Sequence, residues 1–269
     1  MLGLYALACF SWHHMQKVSL EQVVEYLDRL LQIDQIQDWP EAHNGLQVEN
    51  PGQVTRIAAA VDVNLTTLHM AIDAGADLLL VHHGLFWSRR IPWCGTTYRI
   101  LRLLLDHGLA VYSAHLPLDI HPELGNNAQL CRALGLEPTE PFLYDAKKQC
   151  YLGLKATVHR SRQALIHDLQ RLLGMPPRLL PHGPETCRSI GVVTGSAGSA
   201  LFDAAAEGID TFLTGEGPHW TFSAAEELGI NVIYAGHYLT ETLGVRALAA
   251  HLAEHFQLPW IFLDHPSGL

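Results

Sequence analysis

Short apolar runs alternate with segments of helical periodicity along most of the chain. The apolar runs have the length and composition of buried strands and span residues 57–63, 77–81, 109–114, 189–193, 210–214 and 231–235. The segments between them carry apolar residues at helical spacing and predict helices at 65–74, 97–107, 199–207 and 219–228. Alternating strands and helices are typical of proteins in which helices cover parallel or mixed sheets. The pattern therefore predicts an α/β fold.

One further amphipathic segment precedes the first of these strands. The stretch VSLEQVVEYLDRLLQ begins at Val18, and Ser19 stands where a helix cap is expected. Its apolar helical face consists of Val23, Val24, Leu27, Leu30 and Leu31. The residues before it, MLGLYALACFSWHH, are apolar but have no basic leader. We expect residues 1–17 to form an extension outside the core.

The two halves of the chain share more than the order of their elements. AIDAGADLLLVHHG (71–84) is similar to AAAEGIDTFLTGEG (204–217), and HGLAVYSAH (107–115) is similar to LGINVIYAGH (228–237). Short matches of this kind also arise by chance between unrelated α/β units. Because both copies place polar residues at corresponding strand ends, we favour an internal repeat of two similar α/β lobes. The first lobe would comprise residues 18–130 plus 235–269, and the second would comprise residues 131–234.

Composition and charge narrow the class of function. Hydrophobic residues make up 48% of the chain and charged residues 16%, which excludes a disordered chain. The net charge is −10 with histidine neutral, and no basic run is present. This balance argues against nucleic acid or an anionic membrane surface as a partner. A small-molecule substrate stays possible, even an anionic one, if metal ions dominate the local field.

The cysteines and the apolar runs indicate the cellular compartment of the protein. Cys9, Cys94, Cys131, Cys150 and Cys187 are scattered and form no C-x-x-C motif. This pattern argues against a structural zinc finger and favours reduced thiols, so we expect a cytoplasmic protein. No apolar run reaches the roughly 18 residues that a membrane span requires, so we expect no membrane association.

Side chains that can bind metal ions follow the predicted strands at their carboxyl ends. They are His82, His83, His115, Glu216 and His237. Ligands of open α/β sheets gather beyond these strand ends. Neighbouring side chains of a regular strand point to opposite faces, so the pair His82 and His83 predicts a bend. Gly84 would permit that bend through its tolerance of left-handed conformations.

An acid stands four residues after two of the strand-end histidines, with Asp119 after His115 and Glu241 after His237. These acids complete a candidate ligand set without thiolates, namely His82, His83, Asp119, His237 and Glu241. Imidazole and carboxylate ligands suit Zn, Mn or Fe(II), and five ligands exceed the needs of one tetrahedral ion. The set therefore favours two divalent metal ions per chain that share a water or hydroxide.

Each residue of the set also has a simpler interpretation. A strand-end histidine is usually a hydrogen-bonded surface residue, and either acid alone is typical of a helix cap. Thr240 is expected to cap a helix with Glu241 in its first turn, whereas Pro117 is expected to keep Asp119 on a loop. The co-location of five metal-competent residues at matching ends of two similar units favours the metal site.

Five stretches of the chain carry long, specific motifs. They are NGLQVE (44–49), GADLLLVHHGLFW (75–87), HLPLDIHPELGNNAQL (115–130), TGE (214–216) and GHYLTETLGVRAL (236–248). Together they resemble the GTP cyclohydrolase I type 2 homologue family, also called after the NGG-interacting factor. The resemblance runs from about Val18 to the C-terminus. Tyr238 stands where some relatives carry another histidine.

The resemblance implies two α/β lobes that face each other across a cleft with a dinuclear metal centre. In such a centre His82, His83, Asp119, His237 and Glu241 would be the ligands, and His115 would lie beside the metals as a non-ligand or an occasional ligand. The resemblance also implies a ring-shaped homohexamer.

The favoured function is metal-dependent hydrolysis similar to that of a GTP cyclohydrolase, in which a metal-bridging water attacks the substrate. His115 and Glu216 are the candidates for moving protons. The loop after His115 contains Pro117, so we expect His115 to stay outside the ligand set. The alternative is a non-catalytic metal-binding regulatory or assembly protein, because a fold and a metal site do not fix a substrate. A substrate-sized pocket at the metals favours the enzyme, whereas a cleft sealed by side chains favours the alternative.

Overall fold

The protein is described by a computed structural model that covers residues 17–86 and 92–269. The predicted extension therefore lies, apart from Lys17, outside the described residues. The α-helices are α1 (Leu20–Leu31), α2 (Leu65–Asp73), α3 (Thr96–His107), α4 (Leu116–Asp119), α5 (Asn126–Ala133), α6 (Arg162–Leu173), α7 (Leu201–Ala206), α8 (Thr221–Leu228) and α9 (His237–Phe256). A 3₁₀ helix spans Ala197–Ala200.

The strands confirm the α/β prediction. They are β1 (Val18–Ser19), β2 (Gly45–Val48), β3 (Gln53–Val54), β4 (Ile57–Asp62), β5 (Leu78–His83), β6 (Ala110–Ser113), β7 (Glu140–Asp145), β8 (Cys150–Ser161), β9 (Arg178–Pro181), β10 (Thr186–Val192), β11 (Thr211–Thr214), β12 (Asn231–Tyr234) and β13 (Trp260–Phe262). All six predicted strands overlap observed ones. The pattern identified nothing between residues 134 and 188, where β8 mixes polar and apolar residues without a clean alternation.

Two larger sheets organise the described residues. The five-stranded sheet has the order β13-β4-β5-β6-β2, with β2 antiparallel to β6 and the other neighbours parallel. The six-stranded sheet has the order β7-β8-β10-β11-β12-β9, in which β10, β11 and β12 are parallel. Its strands β7, β8 and β9 pair antiparallel to their neighbours. Each sheet thus contains adjacent parallel strands joined by helices, while the duplication of one unit and the lobe boundaries stay predictions.

The first helix forms as its sequence predicts. Ser19 caps α1, because its hydroxyl accepts a hydrogen bond from the Gln22 N–H at 3.2 Å. Val23, Leu27 and Leu31 are buried against the five-stranded sheet.

Helix α9 packs between the two sheets. Val245, Leu248 and Leu252 pack in the core cluster that contains β4, whereas Leu243 packs against the cluster that contains β11 and β12. Burial on two sides explains why this helix has few exposed positions in its first half. Helix α9 therefore carries its N-terminal side chains to the junction of the sheets.

The structure corrects two expectations about local conformation. Helix α9 begins at His237 rather than after Thr240, whose hydroxyl bonds to the His237 carbonyl and accepts from the Gly195 N–H. Pro117 lies inside the one-turn helix α4 rather than on a loop. Proline is accepted in a first helical turn because its missing N–H would have no intrahelical partner there.

The sequence predicts reduced thiols and no membrane-spanning segment. The four cysteines among the described residues are free thiols, as expected. Over the same ranges, no helix combines the length and apolarity that a membrane span needs.

The approach of α5 and α9 gives a test of this packing. The Gly244 N–H donates to Asn126 Oδ1 at 2.7 Å, and a Cβ at residue 244 would lie only 2.5 Å from that oxygen. We expect Gly244→Ala to lower the free energy of unfolding by about 1–3 kcal/mol in urea denaturation. This loss opposes the gain of up to ~1 kcal/mol that alanine gives in a helix interior.

A double-mutant cycle tests whether overlap with Asn126 causes the loss of stability in Gly244→Ala. In an Asn126→Ala background the added cost of Gly244→Ala should shrink, because the overlapping side chain is gone. A stabilising effect of Gly244→Ala alone would contradict the close approach of the two helices.

Candidate metal centre

The candidate centre lies beyond the ends of strands from both sheets. Strand β5 ends at His82 and His83, and His115 follows β6. Helix α9 begins at His237 shortly after β12, and Glu241 lies one turn further along that helix. The structure thus brings together side chains that are far apart in the sequence.

His82 and His83 reach the centre from a strand that stays regular. His83 still pairs with Asp62 of β4, and the two imidazole centroids are 4.8 Å apart. His82 Nε2 lies 3.5 Å from Glu241 Oε1, and His83 Nε2 lies 3.4 Å from Glu241 Oε2. The predicted bend is wrong, because adjacent rings reach opposite oxygens of one carboxylate around the strand end.

Gly84 is needed for close packing rather than for a left-handed backbone. Its φ is not positive, and a Cβ at this residue would overlap the side-chain amide of Gln47. That amide accepts from the Leu85 N–H and donates to the His43 carbonyl, each at 2.6 Å. Gln47 therefore fixes the chain directly after the histidine pair.

Four histidines of the centre are held in the same way, each through its Nδ1 atom. Nδ1 lies 2.8 Å from the Ala114 carbonyl oxygen in His82, 2.8 Å from Asp62 Oδ1 in His83, 3.0 Å from Asp38 Oδ2 in His115 and 2.9 Å from Glu216 Oε1 in His237. In a neutral imidazole, an oxygen acceptor at Nδ1 keeps the proton there, so Nε2 is the nitrogen that can bind a metal ion. Metal-binding histidines in proteins almost always have such a partner.

Asp119 and Glu241 supply the carboxylates. Glu241 is 3% exposed, and Asp119 Oδ1 lies 3.6 Å from His82 Nε2. The Asp119 carboxylate accepts a hydrogen bond from Asn126 Nδ2 at 2.8 Å and from Thr194 Oγ1 at 3.4 Å. These bonds orient Asp119 toward the histidines.

Three groups of ligand atoms lie within 4.8 Å of one another. They are His82 with Asp119 and Glu241, His83 with His237 and Glu241, and His82 with His83 and His115. All five predicted ligands therefore lie in one cluster. His115 also offers a ligand atom, and its place outside the ligand set stays a prediction.

Two buried atoms of the cluster have no hydrogen-bond partner among the residues that the structure describes. They are His82 Nε2 and Glu241 Oε2. Glu241 Oε2 lies 3.1 Å from His237 Nε2, but this contact does not have the geometry of a hydrogen bond. Buried polar atoms are normally paired, and a divalent cation among these groups would satisfy both of them. The residues present thus fit metal ions.

In the metal-free cluster the carboxylates favour the protonated, positively charged form of the neighbouring histidines. Burial opposes the charged form of His82, but the Asp119 and Glu241 carboxylates outweigh burial and raise the pKa of His82 to about 10. Burial likewise opposes the charged form of His237, but Glu241 and Glu216 raise its pKa to about 9. Burial acts to raise the pKa of Glu241, but the surrounding histidines hold it well below its usual range.

Sequence reasoning missed Asp38 and Asp62, the partners of His115 and His83. Asp62 ends β4, so its position at a strand end was a usable signal. Asp38 lies in an irregular segment 77 residues before His115, so no spacing connects them. Asp38 also accepts from the Leu116 N–H at 3.0 Å and from Asn44 Nδ2 at 2.8 Å.

Glu216, the second predicted proton carrier, is also placed by the structure. Its carboxylate holds His237 Nδ1, and its side chain is 44% exposed. This contact is typical of an outer carboxylate that orients a metal-binding histidine.

A cavity of about 230 Å³ opens beside the cluster. Its polar wall contains His83, His115, Asp119, His237 and Glu241. The cavity is also lined by Trp39, Leu143, Lys148, Leu152 and Val193. The cluster is therefore open to a small molecule and not sealed by side chains.

The fold and the cluster define an α/β protein whose imidazole and carboxylate groups could hold metal. A sequence profile of the Duf34/NIF3 (NGG1p interacting factor 3) family matches residues 18–267. The chain belongs to this family, which confirms the resemblance seen in its motifs.

Individual relatives match over nearly their whole length. A Deinococcus radiodurans protein named GTP cyclohydrolase 1 type 2 homolog is 42% identical over 94% of this chain and 95% of its own length. A protein of the same name from Archaeoglobus fulgidus is 38% identical over 94% of this chain and 100% of its own. The crystal structure of a Thermus thermophilus protein has a TM-score of 0.85 and 40% identity, covering 94% of this chain and 100% of that chain.

The raised histidine pKa values predict a pH dependence of stability. Without metal, protonated His82 and His237 stabilise the folded protein fully below their ordinary pKa of 6.5, and this stabilisation is lost as pH rises toward 9–10. Metal binding must displace these protons, so it becomes stronger over the same range. The difference in melting temperature between metal-loaded and metal-free protein should therefore widen from pH 6.5 to pH 9.

His82→Gln provides the control for this effect. In metal-free protein the variant should show a weaker decline of melting temperature with pH, because one of the two titrating rings is absent. A constant difference between loaded and metal-free wild type across the range would contradict the assignment of these protons.

Proposed function

We propose that the centre would hold two divalent metal ions and that Glu241 would be a ligand of both. The observation that carries this proposal is the shared orientation of the histidines, whose Nδ1 atoms are all bound to oxygen acceptors. His82 and Asp119 would hold one ion, and His83 and His237 would hold the other, since Glu241 belongs to both groups of ligand atoms. This ligand chemistry suits Zn, Mn or Fe(II).

The protein is proposed to be a metal-dependent hydrolase related to GTP cyclohydrolases. Divalent ions held by these residues would supply the acidification of a water and the polarisation of the bond to be cleaved. His115 accepts or donates the proton, because Asp38 orients its ring through Nδ1 and the ring lies beside those of His82 and His83. Glu216 orients His237 in this scheme. The open cavity beside the cluster supports a hydrolase over a non-catalytic regulatory protein.

A panel of substrates tests the reaction class. It should include GTP, other nucleotides, phosphoesters and cyclic amides, assayed with protein whose metal content is known. The ring-shaped homohexamer that the resemblance implies stays a prediction.

If Glu241 is a ligand of both ions, substitutions of different ligands should remove different amounts of metal. Wild type should bind two equivalents in elemental analysis, because its ligands divide into two groups. Glu241→Gln should weaken both ions, whereas His83→Ala should release one of them. His159→Ala, which removes an exposed histidine of β8, is the matched control and should retain both ions.

Circular dichroism should show all variants folded like metal-free wild type. Less than one equivalent in metal-replete wild type would contradict the proposal. So would equal losses from Glu241→Gln and His83→Ala.

The proton-carrier role predicts a different result for His115. His115→Ala should retain both ions but lower the rate on an active substrate by about 10²–10⁴-fold, since a proton carrier contributes this much. Asp38→Asn should lower the rate in the same direction by disturbing the His115 tautomer. Asp34→Asn changes an exposed acid nearby and is the control. Loss of one ion in His115→Ala would make His115 a ligand, and full activity would leave it without a catalytic role.

A further inference from the structure

Lys148 lines the same cavity as the candidate metal-binding residues. It lies in the turn between β7 and β8, yet its side chain is only 10% exposed. Its Nζ atom lies 3.0 Å from the centroid of the Trp39 ring, which belongs to the irregular segment before β2. The contact joins the six-stranded sheet to the segment that also carries Asp38.

The Lys148 ammonium has little compensation from the protein. The nearest carboxylate oxygen among residues 17–86 and 92–269 is Asp145 Oδ2 at 4.0 Å, which is too far for a hydrogen bond. The face of Trp39 attracts a cation but accepts no strong hydrogen bond. An ammonium carries three hydrogen-bond donors, and an oxyanion in the cavity can accept hydrogen bonds from them.

The charge of the cavity also favours an anionic ligand at Lys148. Lys148 is the only lysine or arginine among the described residues that line it. No ion pair within 4.0 Å links Lys148 to Asp38, Asp119 or Glu241, so the cation is not neutralised by the carboxylates of the centre. Three carboxylates line the cavity, those of Asp38, Asp119 and Glu241. Two divalent ions together with Lys148 would outweigh their charge, so the loaded cavity would attract an anion.

We propose that Lys148, positioned on Trp39, recognises an oxyanion of the substrate, either a carboxylate or a phosphate. This inference rests on the proposed hydrolase function and names its substrate class as small, anion-bearing molecules. The apolar surfaces of Leu143, Leu152 and Val193 contact the uncharged body of the substrate. Lys148 holds the anionic group while the bond to be cleaved faces the metal-binding residues.

Calorimetric binding to the metal-loaded full chain tests the inference without requiring turnover. The probes are benzoate and phenylphosphonate, with benzamide as the neutral analogue of similar shape. Lys148→Met should weaken the binding of at least one anionic probe by about tenfold or more, which is the scale of one charge-assisted hydrogen bond. Binding of benzamide should not change. The anion with the larger loss identifies carboxylate or phosphate as the recognised group.

Two further variants separate charge from packing. Lys147→Met removes the adjacent exposed lysine, which does not line the cavity, and should bind all probes like wild type. Lys148→Arg keeps the charge and should retain more anion affinity than Lys148→Met. If Lys148→Met melts at a lower temperature than wild type, Lys148→Gln replaces it in the comparison.

Several outcomes would overturn the inference. They are unchanged anion binding in the Lys148 variants, an equal loss for benzamide, and no preference of wild type for the anions. An equal loss would mean that Lys148 only tethers the β7–β8 turn to Trp39.

Metal content and hydrolysis are measured on the same preparations. A loaded, hydrolytically active protein whose anion binding ignores Lys148 would refute this inference alone. Lys148-dependent anion binding in a protein that hydrolyses nothing on the panel would refute the proposed function instead.

Discussion

The buried carboxylate of Glu241 is the constraint on which the centre depends. It is 3% exposed and lies within 3.5 Å of ring nitrogens of His82, His83 and His237. A carboxylate removed from water requires nearby positive charge, because the loss of hydration costs several kcal/mol. Protons on the histidines can supply that charge in the metal-free protein, and metal ions can replace those protons. The same geometry therefore couples protonation to folding stability and would couple both to metal binding.

The outer acceptors give this arrangement its rigidity. Ala114, Asp62, Asp38 and Glu216 each fix one imidazole, and they come from different elements of the fold. The rings therefore keep their orientation through contacts that lie outside the cluster itself. A centre organised in this way needs little rearrangement when a ligand binds, which lowers the entropic cost of binding.

The cavity combines these rigid polar groups with a cation and apolar side chains. Trp39 and Lys148 come from two segments that meet only in the folded chain, and apolar side chains line the same cavity. A protein with a net charge of −10 can still present a positive cavity, since local charges outweigh distant screened ones. The acidic composition argues more strongly against extended polyanions as partners than against a small anion.

The sequence by itself determined the α/β class, the main parallel strands, the first helix and the five candidate ligands. Apolar periodicity and strand-end position are local signals, and for these elements local preference and tertiary packing agree. Predictions from the local sequence were wrong where a contact between distant residues determined the conformation. Gly84 admits the side chain of Gln47, Thr240 binds Gly195 instead of capping a helix, and β8 is a strand because its neighbours pair with it.

Only the tertiary structure decided which distant groups complete the centre. Asp38 reaches His115, and Lys148 reaches Trp39, through the packing of segments that share no spacing or motif. A hydrogen bond or a cation–π contact depends on position in space to within about an ångström, and a sequence pattern specifies only position along the chain.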